Sequence, residues 1–299
     1  MFTTVSLWIP FTIIAALAQA TRNAMQRQLT GPLGTWGATN IRFLFGFPFS
    51  IVFFVVLLIA TGDPLPWPTA AFWPWLLLGA LCQIIATGLM LLAMNDHSFV
   101  VTTAYIKTEA IQTAIFGFVF LGDHLTVLKV IAILIATVGV IVTAVRPGGE
   151  KNFTNLRPTI LGLVAAATFA LSAIGFRGAI LTLSGVSFVT SAAYTLVFGL
   201  FVQTLILTIY LLVRAPGVLK AIFGLWKPSM LAGFMGAFAS QFWFLAFALT
   251  AAANVRTLAL VEVLFAQGIA YYSFKQPLSA REVAGIALIV IGVALLVAA

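Results

Sequence analysis

Long apolar runs, broken by short clusters of Pro, Gly and charged residues, make up nearly the whole chain. Cutting at those breaks predicts spans near 6–29, 33–60, 70–94, 98–121 and 124–145, then 158–183, 186–213, 227–250, 252–274 and 278–298. Each run is close to the ~20 residues a helix needs to cross the hydrocarbon layer. Between the two sets lies Arg146-Pro147-Gly148-Gly149-Glu150-Lys151-Asn152, the most loop-like stretch in the sequence. The runs are too long and too evenly apolar for the alternating strands of a barrel. In lipid, each segment must satisfy its own backbone groups. The pattern therefore predicts an all-α integral membrane protein of ten transmembrane helices.

Leu7 to Ala20 is apolar and ends in Ala18-Gln19-Ala20, which is similar to a signal-peptidase site. No Lys or Arg precedes this run, and the first cation, Arg22, follows it. The expectation is a first span, not a cleaved leader.

Composition makes the bilayer the solvent. Only 7% of residues are charged, where a soluble domain carries about a quarter, so there is too little polar surface to coat a water-soluble globule. The net charge of +8 does not indicate nucleic acid, because the cations are scattered through loops, where they report orientation. The single cysteine, Cys82, excludes an intrachain disulfide.

An offset of 153 residues aligns the chain with itself. It pairs Phe45-Gly46 with Phe198-Gly199, Trp73 with Trp226, Leu92-Ala93 with Leu245-Ala246, Glu109 with Glu262 and Gly139 with Gly292. Leu and Ala matches come cheaply in an apolar chain; a shared Trp and a shared intramembrane Glu do not. The expected organisation is two five-helix repeats, residues 1–150 and 151–299. Five is odd, so the second repeat enters the membrane from the opposite side. The charges agree. Loops after the second and fourth spans offer Asp63, Asp123, His124 and nearby Lys129, whereas their counterparts carry Arg214, Lys220, Lys227, Lys275 and Arg281. Inverted repeats of this kind recur in secondary transporters, with the substrate site between the halves.

Several short motifs carry a resemblance. Ile41-Arg42-Phe43 opens the second span. Glu109 and Glu262 each stand thirteen residues before a turn, Gly122-Asp123-His124-Leu125 in one repeat and Lys275-Gln276-Pro277-Leu278 in the other. The closing helices read Ile133 to Val140 and Ile286 to Val293. The chain resembles the drug/metabolite transporter superfamily, in its ten-helix exporter branch with two EamA-type repeats. It departs from that pattern at Ala110 and Val263, where the family has prolines, and at the second turn, which lacks its acid. Overall similarity points to bacterial exporters of amino acids, especially aromatic ones. The resemblance implies a bacterial inner-membrane location and a central cavity lined by the first, third and fourth spans and their repeat mates.

Charges at membrane depth are costly and usually functional. Arg42, Lys107, Glu109 and Glu262 qualify by position. Thr102, Tyr105, Glu109, Gln112 and Thr113 share one face of the fourth span by helical spacing. This face either walls a translocation pathway or belongs to a buried network in which Glu109 or Glu262 answers Arg42 or Lys107. The candidate substrate-binding residues are Gln19, Gln83, Tyr105, Glu109, Gln241 and Trp243, with Arg42, Lys107 and Glu262 as coupling or structural charges. Gln19 and Asn23, with Ser172 and Arg177, are the polar positions of the spans that open each half. Enzyme signatures are lacking: His97 and His124 form no His-Glu-x-x-His pair, no Gly-rich phosphate loop occurs, and one cysteine makes a thiolate metal site implausible.

The expected function is secondary transport by alternating access, exporting small metabolites such as amino acids, as a monomer or homodimer, with no cofactor, metal, ATP or nucleic acid. An intramembrane enzyme or lipid-handling protein is the alternative, and it would need a nucleophile-base pair or metal ligands at membrane depth. Orientation divides the signals. Nine cations fall in loops after odd-numbered spans: Arg27, Arg146, Lys151, Arg157, Arg214, Lys220, Lys227, Lys275 and Arg281. Three lie near the other face: Lys129, Arg177 and Arg256. The charge rule places odd loops in the cytoplasm and both termini outside. The resemblance implies the reverse. The charge bias is large and the loops are short, so the charges are followed here.

Overall fold

The computed structural model describes residues 6–96, 102, 105–144, 156–265 and 279–299. Those residues are helical and connect through short turns, and no strand occurs among them. Six helices are long and apolar enough to cross a membrane. The chain is a multi-pass, all-α membrane protein.

The first two expected spans are not separated by a loop. A single helix, α1 (Trp8–Leu44), runs through the break and bends at Gly34, whose φ of 66° lies in the left-handed region. Glycine takes that conformation without a Cβ clash. Gln26 on the first arm donates to the carbonyl of Ala38 on the second at 2.9 Å, tying the arms across the bend. The second expected span is itself divided at Phe45, between α1 and α2 (Gly46–Thr61). Pro48 has no N–H to give and its ring crowds the carbonyl of Leu44, which interrupts the helix at this point.

The rest of the first half is α3 (Phe72–Asp96), α4 (Glu109–Phe116) with a π-helical turn at Gly117–Leu121, and α5 (Val127–Ala144). The second half holds α6 (Leu156–Leu181), α7 (Phe188–Arg214), α8 (Pro216–Gly224), α9 (Trp226–Leu249), α10 (Ala252–Leu258) with a 3-10 turn at Ala259–Val261, and α11 (Ala280–Ala298). The short helix α8 is absent from the sequence expectation. Pro216 starts it, Leu219 and Ile222 are buried beneath it, and Lys220 faces out. The Arg146–Asn152 loop and the Lys275–Leu278 turn lie outside the described residues.

Helices pair across the chain: α3 on α6, α1 on α9, α5 on α11, α2 on α7 and α4 on α10. Small residues seal several of these seams, as expected where lipid removes the hydrophobic drive and close van der Waals contact must replace it. Gly79 meets Gly175 between α3 and α6, and Gly139 meets Gly285 between α5 and α11. Six buried threonines are satisfied within their own helices. Thr12, Thr39, Thr87, Thr113, Thr137 and Thr257 each donate to the carbonyl four residues back. Such hydroxyls need no partner from a neighbouring helix or a ligand.

Candidate functional site

The first arm of α1 carries Gln19, Arg22, Asn23 and Gln26, a polar stripe at helical spacing. It faces Gln83 and Thr87 of α3, the Lys107–Glu109 segment, Phe169 and Ser172 of α6, Trp243 and Phe247 of α9, and Arg256 of α10. Two narrow cavities lie among these side chains and share Gln19, Phe169 and Arg256. For the centre of a water-sized sphere, the free space is about 20 Å3 in one and 10 Å3 in the other. That is room for about a water each. The site is closed around its own side chains.

The backbone is irregular where it borders the first cavity. Thr108 forms a turn immediately before Glu109, and the 3-10 turn at Ala259–Val261 immediately precedes Glu262. Broken helical hydrogen bonding at membrane depth is tolerated where it lines a cavity inside protein. Here it falls at equivalent places in the two halves.

Two ion pairs cross from one half of the chain to the other. Lys107 Nζ lies 2.6 Å from Glu262 Oε2, and Arg256 Nη1 lies 3.5 Å from Glu109 Oε1. All four side chains are nearly buried. Arg256 also lies over the Trp243 ring at 4.6 Å and the Phe247 ring at 5.3 Å, where the negative face of each ring favours a cation. Trp243 Nε1 donates to Gln19 Oε1 at 3.0 Å, joining α9 to α1.

Two further cations complete the site. Arg22 Nη2 donates to Asn23 Oδ1 at 2.6 Å, while its Nε and Nη1 have no partner. Arg42 Nη1 donates to Thr87 Oγ1 at 3.1 Å, while its Nε is likewise unpartnered. Both are 1% exposed. Both pack on Gly236 of α9, where an added Cβ would lie 3.0 Å from Arg42 Cγ and 3.4 Å from Arg22 Cδ. Arg22 is attracted by Glu262 and repelled by Arg256; Arg42 is repelled by Arg22 and Arg256.

Seven of the nine residues singled out in the sequence border these cavities: Gln19, Arg42, Gln83, Lys107, Glu109, Trp243 and Glu262. The other two stand apart. Tyr105 packs its Cβ 2.7 Å from where one would sit on Gly162, and its hydroxyl accepts from Thr159 at 3.2 Å. Gln241 is buried with both amide atoms unpartnered but borders neither cavity. The amide of Gln83 is engaged by Gln203 Nε2 at 2.8 Å. Sequence reasoning passed over Arg22 as a site residue, although its place in the Gln19-to-Gln26 stripe was a usable signal. It also placed Arg256 near the membrane face. The structure buries it against Glu109, because α10 begins at Ala252 and carries it inward within a turn.

Outside the site, the loops after even-numbered spans are latched together. Arg177 Nη2 lies 3.2 Å from Asp123 Oδ1, and Arg177 Nη1 donates to the carbonyls of Phe247 and Thr250. Asp63 accepts from the hydroxyl and backbone N–H of Ser187 and from the hydroxyl of Thr190. Those donors, the Ser187 hydroxyl foremost, hold the Asp63 carboxyl below its ordinary range.

Residues 6–145 match the model of the EamA-like transporter family, a family of small-molecule transporters. This covers most of the first half and agrees with the resemblance read from its motifs. A solved structure titled only "Crystal structure of protein" superposes with a TM-score of 0.71, covering 98% of both chains at 15% identity. That likeness is one of fold alone. No curated protein matches the chain.

Proposed function

We propose that the protein is a secondary transporter of a bacterial inner membrane, exporting small metabolites such as amino acids by alternating access. The observation that carries this reading is the closed cavity pair bridged by two ion pairs, each with one partner in residues 1–150 and the other in 151–299. A rocking motion of one half against the other would have to break and remake those pairs. Exchanging equivalent spans between the halves turns the α3–α6 contact into α9–α1 and returns the α2–α7, α4–α10 and α5–α11 contacts to themselves. That closure supports two inverted five-helix repeats with the site between them.

Counterflow in sealed liposomes tests the transport reading. Flux of a radiolabelled metabolite across the bilayer is expected, whereas an enzyme would also alter the compound in detergent. Alanine at Trp243 would cost about 3–5 kcal/mol of packing and confuse the result. Trp243→Phe keeps a ring under Arg256 but removes the donor to Gln19. It is expected to lower flux by up to about tenfold and to cost about 1.5 kcal/mol of stability, the worth of one buried hydrogen bond and well below the alanine cost. Tyr105→Phe tests whether the wall extends to Tyr105. Wild-type flux in both variants would place the site elsewhere.

Orientation follows from the charges with one revision. Arg256, counted on the minority face, is buried against Glu109, which leaves Lys129 and Arg177 to oppose the nine. A C-terminal fusion to alkaline phosphatase is expected to be active, since that enzyme folds only outside the cytoplasm. A well-expressed but inactive fusion reverses the assignment.

A further inference from the structure

The charge balance of the closed site specifies what it would hold, if the transport reading above is right. Four cations, Arg22, Arg42, Lys107 and Arg256, face two carboxylates, Glu109 and Glu262. The carboxylates are taken: Glu262 by Lys107 and Glu109 by Arg256. Arg22 and Arg42 are left, and among the described residues neither has a carboxylate within ion-pair distance. Arg22 borders one cavity and Arg42 the other. Three of their donor atoms are buried without an acceptor.

A buried guanidinium without a counter-ion is expensive, and two that repel one another are more so. Both are among the largest fully buried side chains, yet neither guanidinium has acceptors for all of its donors. Guanidinium groups present a planar fork of donors that matches carboxylate or phosphate oxygens two at a time. We infer that the transported molecule is a small organic dianion, a dicarboxylate or a phosphate monoester, whose oxygens satisfy Arg22 and Arg42 together. The cavities as they stand hold about a water each, so such a molecule enters only as the halves part, with the Phe169 and Trp243 rings flanking its carbon skeleton. This narrows the metabolites proposed above to dianions, because a zwitterionic amino acid brings no net charge and would leave the surplus in place.

The test compares succinate, glycerol 3-phosphate and phenylalanine, by thermal stabilisation of the purified protein in detergent and by counterflow in liposomes. One of the two dianions is expected to stabilise the protein and to move at least about tenfold faster than phenylalanine, a difference one charge-assisted hydrogen bond supplies. Which of them does so tells carboxylate from phosphate. Arg42→Gln and Arg22→Gln are each expected to abolish the stabilisation and lower dianion flux about a hundredfold. Their melting temperatures without ligand should stay level or rise, because an unpaired buried charge has been removed. A purely structural role for either arginine predicts the opposite, a lower melting temperature in the ligand-free variant. Flux of phenylalanine with no binding of either dianion overturns the inference and leaves the transport reading intact. Dianion binding without flux supports the anion site and overturns transport. No binding and no flux of any compound overturns both.

Discussion

Glu262→Gln is expected to destabilise the protein by about 3–5 kcal/mol and to abolish transport. The Glu262 side chain is 11% exposed, and Lys107 Nζ sits 2.6 Å from its carboxylate. Removing one partner of a buried pair leaves the other as an uncompensated charge, which is why the cost greatly exceeds the net worth of the pair. In this site the damage is compounded. Glu262 is also the carboxylate that attracts Arg22, so its loss raises the surplus of positive charge from two to three. Removing both charges separates stability from function. Lys107→Met with Glu262→Leu replaces the pair by apolar groups of similar length, and such exchanges are often neutral or stabilising. The double variant should therefore melt near the wild-type temperature yet carry no flux, because one of the two ion pairs that join the halves is gone. Thermal unfolding in detergent and counterflow in liposomes read the two quantities separately. A Glu262→Gln protein with wild-type melting and wild-type flux would show that the pair neither stabilises nor gates.

The same pair marks how far the sequence carried. Glu109, Glu262, Lys107 and Arg42 were conspicuous because each interrupts an apolar run, where a charge is costly. Their partners were not legible. The pairing crosses about 150 residues of chain, and no local pattern states whether Glu262 answers Lys107 or Arg42. Span existence was legible from hydropathy, but span shape was not. The Pro32–Gly34 break reads as a loop in one dimension, whereas the chain bends there without leaving the bundle. Pro48 was visible in the sequence, but an apolar run hides an interruption at Phe45 that only backbone geometry reveals. Arg256 was misplaced because its neighbours, Ala252 to Leu258, are apolar enough to be either the entry to a span or its interior. The glycines gave the least away. Gly175 and Gly217 look alike in the sequence, yet one lies against backbone and the other against open space.

That difference supplies the second large effect. Gly175→Ala is expected to lower stability by about 1–3 kcal/mol, and Gly175→Val to prevent accumulation of folded protein. At Gly175 an added Cβ would lie 2.7 Å from Gly79 Cα and 2.9 Å from the carbonyl oxygen of Trp75. Both are backbone atoms of α3, so no side chain can swing aside and the whole helix would have to move. The neighbouring seam residues cannot absorb the shift. A Cβ on Gly79 would strike the Phe176 ring at 2.8–2.9 Å, and one on Gly178 would strike the Trp75 indole. In lipid this contact has no hydrophobic replacement, because separating the helices exposes them to tails as apolar as themselves. Gly217 in α8 is the control: nothing lies within 4 Å of its added Cβ, and alanine there removes backbone freedom from the unfolded chain. Gly217→Ala should leave stability unchanged or raise it by up to about 1 kcal/mol. The α3–α6 seam also sets the distance between Gln83 and the Phe169–Ser172 wall of the site, so Gly175→Ala should cut flux along with stability. Thermal unfolding of the two alanine variants side by side decides the matter. If Gly175→Ala melts with Gly217→Ala, the close contact between α3 and α6 does not hold the bundle together.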